Sequence, residues 1–379
     1  MHIAFLTTEY PHTSIKSYGG LATSIKSAAL GLVAMNVRVT VFVISQPKKA
    51  IFEADGITVH FIAQKKYKYA SWFFYKKHVQ RYINTQIKKE KIDAIEAPDW
   101  SGISAFMRFK CPLVIRFHGT DAYFCKLEGR TQKPKNFWLE KIALHSADHL
   151  ISVSRFTADQ TKDIFHIKKH IEIIPNSVMI NRFLPEHRAE KEDRILYFGT
   201  LIRKKGVFDL VHAFNALMQR GSKAQLYFAG ADVLDIKTGR STQELMQELL
   251  SPKAEKRAYF LGKLDHDNIR EEIAKATVIT LPSHAEALPM TWIEAMAMEK
   301  AMLTSDIGWA KEVMSDGQTG YTVAPKNHDE YACKLWRLLQ NTEMRRKFGK
   351  AARARVVDRF SAEFIAEKNR DFYQKIIGT

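Results

Sequence analysis

The sequence predicts an α/β protein made of two Rossmann-like domains, each a parallel sheet covered by helices. Three observations carry that prediction. Short β-branched runs alternate with stretches of helical periodicity, the order that winds a parallel sheet between helices. The alternation pauses in a polar, proline-containing segment, residues 176–194, and restarts at Ile195-Leu-Tyr-Phe-Gly199. At 379 residues, 46% of them hydrophobic, the chain is too long for one ordinary core and sufficient for two. The expected domains are 1–176 and 177–360, followed by a last helix over 361–379.

His2-Ile-Ala-Phe-Leu-Thr opens as a buried strand, and its loop ends in Tyr18-Gly19-Gly20 before a helix over 21–35. Two glycines at a helix start let a backbone approach a ligand and leave N–H groups facing an anion, which makes Gly20 a candidate contact. A plain tight turn is the ordinary alternative. Residues 37–44 and 57–62 read as the next strands. Residues 65–91 then interleave lysines with Tyr67, Tyr69, Trp72, Phe73, Phe74 and Tyr75. On a helix, Trp72, Val79, Ile83 and Ile87 can face the core, leaving Phe73, Phe74 or Tyr75 poorly covered. Aromatics beside lysines suit an anionic membrane surface, and a solvated helix face with ordinary core aromatics suits them equally. The segments ending in Asp99-Trp-Ser-Gly102 and His118-Gly-Thr-Asp121 read as strands with polar C-terminal ends, the edge where open α/β sheets bind ligands. Asp99 and Asp121 are candidates for contacts to an acceptor. His118 is a further candidate there, though a single histidine is commonly structural.

In the second half, Thr200-Leu-Ile-Arg203-Lys204-Lys205-Gly206 lies between a strand and a helix, and its consecutive cations make a compact anion site. Asp265-His-Asp267 follows a strand at 258–261 and precedes a helix. Capping explains it better than a metal pair, and no metal is expected. Ala276-Thr-Val-Ile-Thr-Leu281 reads as a strand buried on both faces. It delivers Ser283 to Leu288 as a loop, after which Pro289 fits the first position of a helix over 290–298. The unpaired amides and positive dipole end near Met290 suit a phosphate. Glu294, five residues beyond Pro289, lies roughly 7 Å along the axis, the scale of a ribose beside a diphosphate. Carboxylates accept hydrogen bonds from neighbouring hydroxyls, so Glu286 and Glu294 can hold a sugar and a ribose. A capping acid and a solvated helix residue fit the same spacing. Ser361 caps the last helix, where Phe364, Phe372 and Ile376 fall at helical spacing.

The run Glu286-x7-Glu294-Ala-Met-Ala, followed by Ser305-Asp-Ile-Gly, Glu312-Val and Asp316-Gly-Gln-Thr-Gly320-Tyr, resembles the donor-site signature of glycosyltransferase family 4, whose members are retaining enzymes of the GT-B fold. That resemblance implies two domains with parallel sheets facing an interdomain cleft, an N-terminal acceptor domain, a C-terminal nucleotide-sugar donor domain, and a last helix that packs back on the first domain. It implies that Glu286 contacts the donor sugar and Glu294 the ribose, that His118 lies beside the sugar, and that Gly20 faces the diphosphate. The segment from Gly199 to Gly206 matches the family's diphosphate loop, with Lys205 at the Lys position and Thr200 where an Arg is usual. Arg203 is expected to replace the missing guanidinium. Leu264, Leu288 and Met290 are further donor-side candidates. Glu299 and Ala301 stand where the family usually has Gly and Pro, which bears on the turn after the helix. The activity implied is transfer of a hexose or N-acetylhexosamine from a nucleotide diphosphate sugar, with UDP the usual carrier, to a hydroxyl of a glycan or lipid-linked acceptor in cell-surface polysaccharide synthesis, without metal or other cofactor. A catalytically weak sugar-nucleotide or glycan binder of the same fold is the alternative.

Charge points to partners. The net charge is +17, and the first 177 residues hold 26 Lys and Arg against 14 Asp and Glu. Such an excess suits an anionic surface, whether membrane or nucleic acid. No nucleic-acid recognition motif accompanies it, which makes a nucleic-acid partner the weaker expectation. No apolar run reaches the length that crosses a bilayer, and Ile3 to Leu6 is too short for a signal-peptide core. Cys111, Cys125 and Cys333 show no paired or metal-like spacing. A cytoplasmic protein, peripheral on the inner face of the membrane through residues 65–91, is the expectation.

Overall fold

The computed structural model describes residues 1–12, 19–186 and 191–378; Tyr18 and residues 187–190 of the expected linker lie outside them. Two compact units result, Met1–Ser177 with Phe360–Thr379, and Val178–Arg359.

The N-terminal unit holds β1 (His2–Thr7), β2 (Arg38–Gln46), β3 (Ala50–Ala54), β4 (Ile57–Ala63), β5 (Ala94–Pro98), β6 (Leu113–Phe117), β7 (His149–Ser152) and β8 (Ile171–Ile173). Their order is β3-β4-β2-β1-β5-β6-β7-β8, parallel except for β3 against β4. That edge hairpin departs from the expected all-parallel sheet. Asp55 and Gly56 supply its turn with φ of 55° and 74°, the left-handed pair a two-residue hairpin requires. Every residue of β1, β5 and β6 is buried, as strands covered on both faces must be. Ile3 and Phe5 pack with Ile25 and Leu32 of the helix Gly20–Ala34, while Ala4 and Leu6 face the helix Ser71–Glu90. On that second helix the core stripe is Tyr75, Val79, Ile83 and Ile87, a strict spacing of four. Trp72, expected in the stripe, is 41% exposed, and Tyr75 takes its place.

A buried ion pair ties the C-terminal helix Ala362–Ile377 to this unit. Arg116 donates to Glu96 from Nε and Nη2 at 2.8 and 3.0 Å. The helix completes the site, Asn369 accepting from Arg116 at 2.7 Å and Tyr373 donating to Glu96 at 2.6 Å.

The C-terminal unit holds β9 (Arg194–Phe198), β10 (Gln225–Ala229), β11 (Ala258–Gly262), β12 (Val278–Leu281), β13 (Met302–Ser305) and β14 (Tyr321–Val323), all parallel in the order β11-β10-β9-β12-β13-β14. The winding reverses between β9 and β12. The carboxyl edge at such a reversal is where open α/β sheets bind ligands. After β12 the helix runs Met290–Ala297, with Pro289 as its N-cap residue, one position outside the expected place. Glu299 then adopts φ of 55°, so the left-handed exit expected of glycine is kept by a glutamate.

Candidate functional site

Two loops rise together from the carboxyl edge of the C-terminal sheet, one after β9 and one after β12. The first turns through a 3-10 segment, Arg203–Lys205, into Gly206. Gly206 has φ of 71°, and a Cβ there would stand 2.0 Å from the carbonyl oxygen of Pro282. Only glycine lets the loops close on each other. Gly230, after β10, is required for a similar reason, since a Cβ would meet the Gly199 carbonyl at 1.9 Å. The His284 amide donates to the Lys204 carbonyl at 2.8 Å, joining the loops. Beneath them the fully buried Tyr197 donates its hydroxyl to the Thr200 carbonyl at 2.9 Å.

This union brings Lys205 Nζ to 2.6 Å from Glu286 Oε1, and Ser283 Oγ donates to the same oxygen at 3.0 Å. Glu294 lies nearby on the helix, 7% exposed, and its carboxylate accepts no hydrogen bond among the described residues. Burial pushes its pKa up to about 7, against a downward pull from Lys205. Leu288 is buried under the loop and Met290 opens the helix, whose proline N-cap offers the first-turn amides no side-chain partner. The structure thus gathers Gly199, Lys205, Glu286, Leu288, Met290 and Glu294 on one edge. A cation, two carboxylates and uncapped helical amides there can hold a sugar hydroxyl, a ribose and a phosphate.

Arg203 behaves differently from expectation. Its Nε and Nη2 donate to Asp235 at 2.8 and 3.0 Å, and its guanidinium lies 4.4 Å from the centre of the Phe208 ring. Asp235 is itself buried and also accepts the amide and hydroxyl of Thr238. A bidentate pair with a buried acid commits the guanidinium, so Arg203 braces the 3-10 turn and does not replace the one missing at the exposed Thr200.

A second clamp escaped sequence reasoning. Asp209 accepts His284 Nε2 at 2.7 Å and His328 Nε2 at 2.9 Å, and the His212 ring stacks on His328 at 5.0 Å. Burial raises the Asp209 pKa, and the two imidazole hydrogen bonds outweigh it to leave the carboxyl below its usual range. Only His284, two residues before Glu286, lay inside a stretch the motif had marked. Leu264 stands half-buried after β11. Asp265 next to it caps the helix His266–Lys275, its Oδ1 accepting the Asn268 amide at 2.9 Å, and Asp267 pairs with Arg270.

Residues 180–355 match the sequence profile described as Glycosyl transferases group 1, and residues 18–182 match Glycosyltransferase Family 4. The chain belongs to the family 4-like glycosyltransferases. An uncharacterized glycosyltransferase of Methanocaldococcus jannaschii is 24% identical over 395 aligned residues, spanning 99% of this chain and 98% of that one. Sucrose-phosphate synthase from Thermosynechococcus elongatus superposes with a TM-score of 0.82 over 100% of this chain and 99% of that one, at 21% identity. Anabaena Alr3699/HepE in complex with UDP-glucose does so with a TM-score of 0.76 over 99% and 100%, at 17% identity. These likenesses show the GT-B fold.

In the N-terminal unit of this glycosyltransferase, Asp99 and Glu140 are held by backbone amides. Asp99 is fully buried and accepts the amides of His118 and Gly119 at 2.9 and 3.2 Å. Burial pushes its pKa up to about 8. It shapes the His118 turn and is out of reach of an acceptor. Asp121 starts the helix Asp121–Glu128, where its carboxylate accepts from Asn136 at 3.2 Å and faces Arg130 at 3.8 Å. Its side chain is engaged by those partners and stays 19% exposed. Glu140, also missed, is fully buried and accepts the amides of Ser101, Asp121 and Ala122 and the Gln132 side chain. His118 is crowded by buried neighbours and by Arg116, which push its pKa down to about 3 and keep the imidazole neutral. At Gly20 a Cβ would meet nothing within 4 Å, and Glu9 accepts the preceding amide of Gly19 at 3.0 Å.

Proposed function

We propose that this protein is a retaining hexosyltransferase that binds a UDP-sugar on its C-terminal unit and passes the sugar to a hydroxyl of a glycan or lipid-linked acceptor, without metal. The observation that carries this is the edge where Lys205 and Glu286 meet beside a buried Glu294 that accepts no hydrogen bond among the described residues. A carboxylate in that state is costly unless hydroxyls come to it, and a ribose brings two. UDP-glucose bound by a protein of the same fold supports the choice of donor. Breaking the anomeric bond leaves charge on the β-phosphate. Lys205 and the amides at Met290 meet that charge, while Glu286 orients the sugar. Attack from the face the diphosphate leaves accounts for retention without a covalent nucleophile. His118, held neutral, is the N-terminal unit's candidate contribution.

The alternative, a binder with little turnover, is favoured by Thr200 at the usual Arg position together with the engagement of Arg203 by Asp235. Release of UDP from a panel of UDP-sugars separates the two. Wild type is expected to cleave at least one of them, and Lys205→Ala and Glu286→Ala to lose that activity. Binding of UDP with no cleavage of any sugar nucleotide would leave only the binder. Arg203→Ala is expected to cost less than about tenfold, because its guanidinium serves the turn and a loss of one transition-state contact costs on the order of a hundredfold.

A further inference from the structure

We propose that the N-terminal unit docks on an anionic lipid bilayer through an aromatic face assembled from three separate segments. Trp72 and Phe74 on the helix Ser71–Glu90 are 41% and 47% exposed, Tyr69 before them is 73% exposed, and Trp138 on the helix Pro134–Ser146 is 51% exposed. Phe106 joins the two helices, with ring centroids 5.7 Å from Trp72, 5.7 Å from Phe73 and 5.2 Å from Trp138. Apolar surface of this kind, contiguous and built from large rings, is uncommon on a surface that has no partner.

The construction is held in place from within. Lys76 donates to the carbonyls of Gly102 and Ile103 at 2.8 and 2.7 Å, and Lys77 to that of Phe106, so these lysines fasten the loop that carries Phe106. Phe106 itself has φ of 64°, a strained conformation for a bulky residue, and it sets the ring between two tryptophans. The helix Pro134–Ser146 buries Glu140 along with Leu139, Ala143 and Leu144 and turns Trp138 outward. For Glu140 and Trp138, packing alone would have chosen the opposite.

Charge names the occupant. Lys65, Lys66, Lys68, Lys133 and Lys135 are exposed around the rings, with Lys135 Nζ 5.5 Å from the Trp72 ring centre. Neither 64–77 nor 131–138 contains an acidic residue. Rings at headgroup depth rimmed by lysine ammonium groups complement anionic lipid. Single-stranded nucleic acid fits less well, because it stacks on open ring faces. Here the rings meet edge-on or tilted, at 55° to 77°, and cover one another.

The test is co-sedimentation of the full-length protein, without sugar nucleotide, with vesicles of phosphatidylcholine alone or mixed with phosphatidylglycerol. Wild type should bind only the anionic vesicles, and brominated lipid should quench its fluorescence. Trp72→Ala with Trp138→Ala, and separately Lys65→Gln with Lys66→Gln and Lys68→Gln, should each weaken binding about tenfold or more at unchanged melting temperature, since all five side chains are exposed. The proposal is overturned by wild type that ignores anionic vesicles, by binding that both variants retain, by a wild-type dimer that the tryptophan variant dissolves, or by RNA binding in place of vesicle binding. UDP-sugar cleavage by the tryptophan variant should equal wild type, so failure of the docking surface and failure of the transferase reading register in different assays.

Discussion

The two units use their buried acids in opposite ways. In the N-terminal unit Asp99, Glu140 and Glu96 are buried and satisfied by backbone amides or by Arg116. In the C-terminal unit Glu286 and Lys205 keep part of their surface in solvent, and Glu294 is buried with no hydrogen bond from the described residues to satisfy it. A carboxylate that has all its donors holds a fold; one that lacks them is poised for a ligand. Removing acids should therefore move stability in the first unit and chemistry in the second.

The largest effect should follow from breaking the buried pair. Arg116→Met, which strands Glu96, should cost about 3–5 kcal/mol in denaturant unfolding, the price of an uncompensated buried charge. If it costs under about 1 kcal/mol, the N-terminal acids are not structural and the contrast fails. Next, Lys205→Ala should lower the turnover of a UDP-sugar by roughly a hundredfold to a thousandfold, with little change in melting temperature. A comparable fall in stability would make that ion pair another structural contact.

The third effect is a pH dependence. The Glu294 pKa rises on folding from 4.5 to about 7, so its stabilising contribution is complete below 4.5 and is lost as pH rises through about 7. Wild type should lose stability over that window relative to Glu294→Gln. Its affinity for UDP should fall as pH drops below about 7, where the carboxylate protonates and accepts hydroxyls poorly, while the Gln variant stays flat. Calorimetric titration at several pH values checks both halves. The smallest effect belongs to Glu299→Gly, which relieves a left-handed side chain worth about 1–2 kcal/mol but frees the unfolded chain by a similar amount. Thermal unfolding should show a net change within about 1 kcal/mol.

What the sequence made legible follows the range of the interactions. Strand alternation, the break before Ile195 and the motif around Glu286 and Glu294 are local patterns; they located the fold and pointed to the edge where a donor is proposed to bind. The β3 hairpin was missed, although Asp55-Gly56 is a local turn signal that could have marked it. Long-range pairing was not legible. Nothing near Arg203 in sequence announced Asp235, and no spacing joins Asp209 to His284 and His328. Asp99 and Asp121 stood at the right strand ends, but whether an acid there faces outward is decided by amides and side chains that fold in from elsewhere. The helix Pro134–Ser146 hid both Glu140 and Trp138, since its outward tryptophan and inward glutamate reverse the usual pattern.

Thermal unfolding of wild type, Lys205→Ala and Glu294→Gln with and without UDP tests the donor edge most directly. Near a hundred times its dissociation constant, UDP should add about 2.7 kcal/mol to wild type and much less to either variant. Equal stabilisation of all three proteins, or of none, would contradict the assignment of Lys205 and Glu294 to the nucleotide.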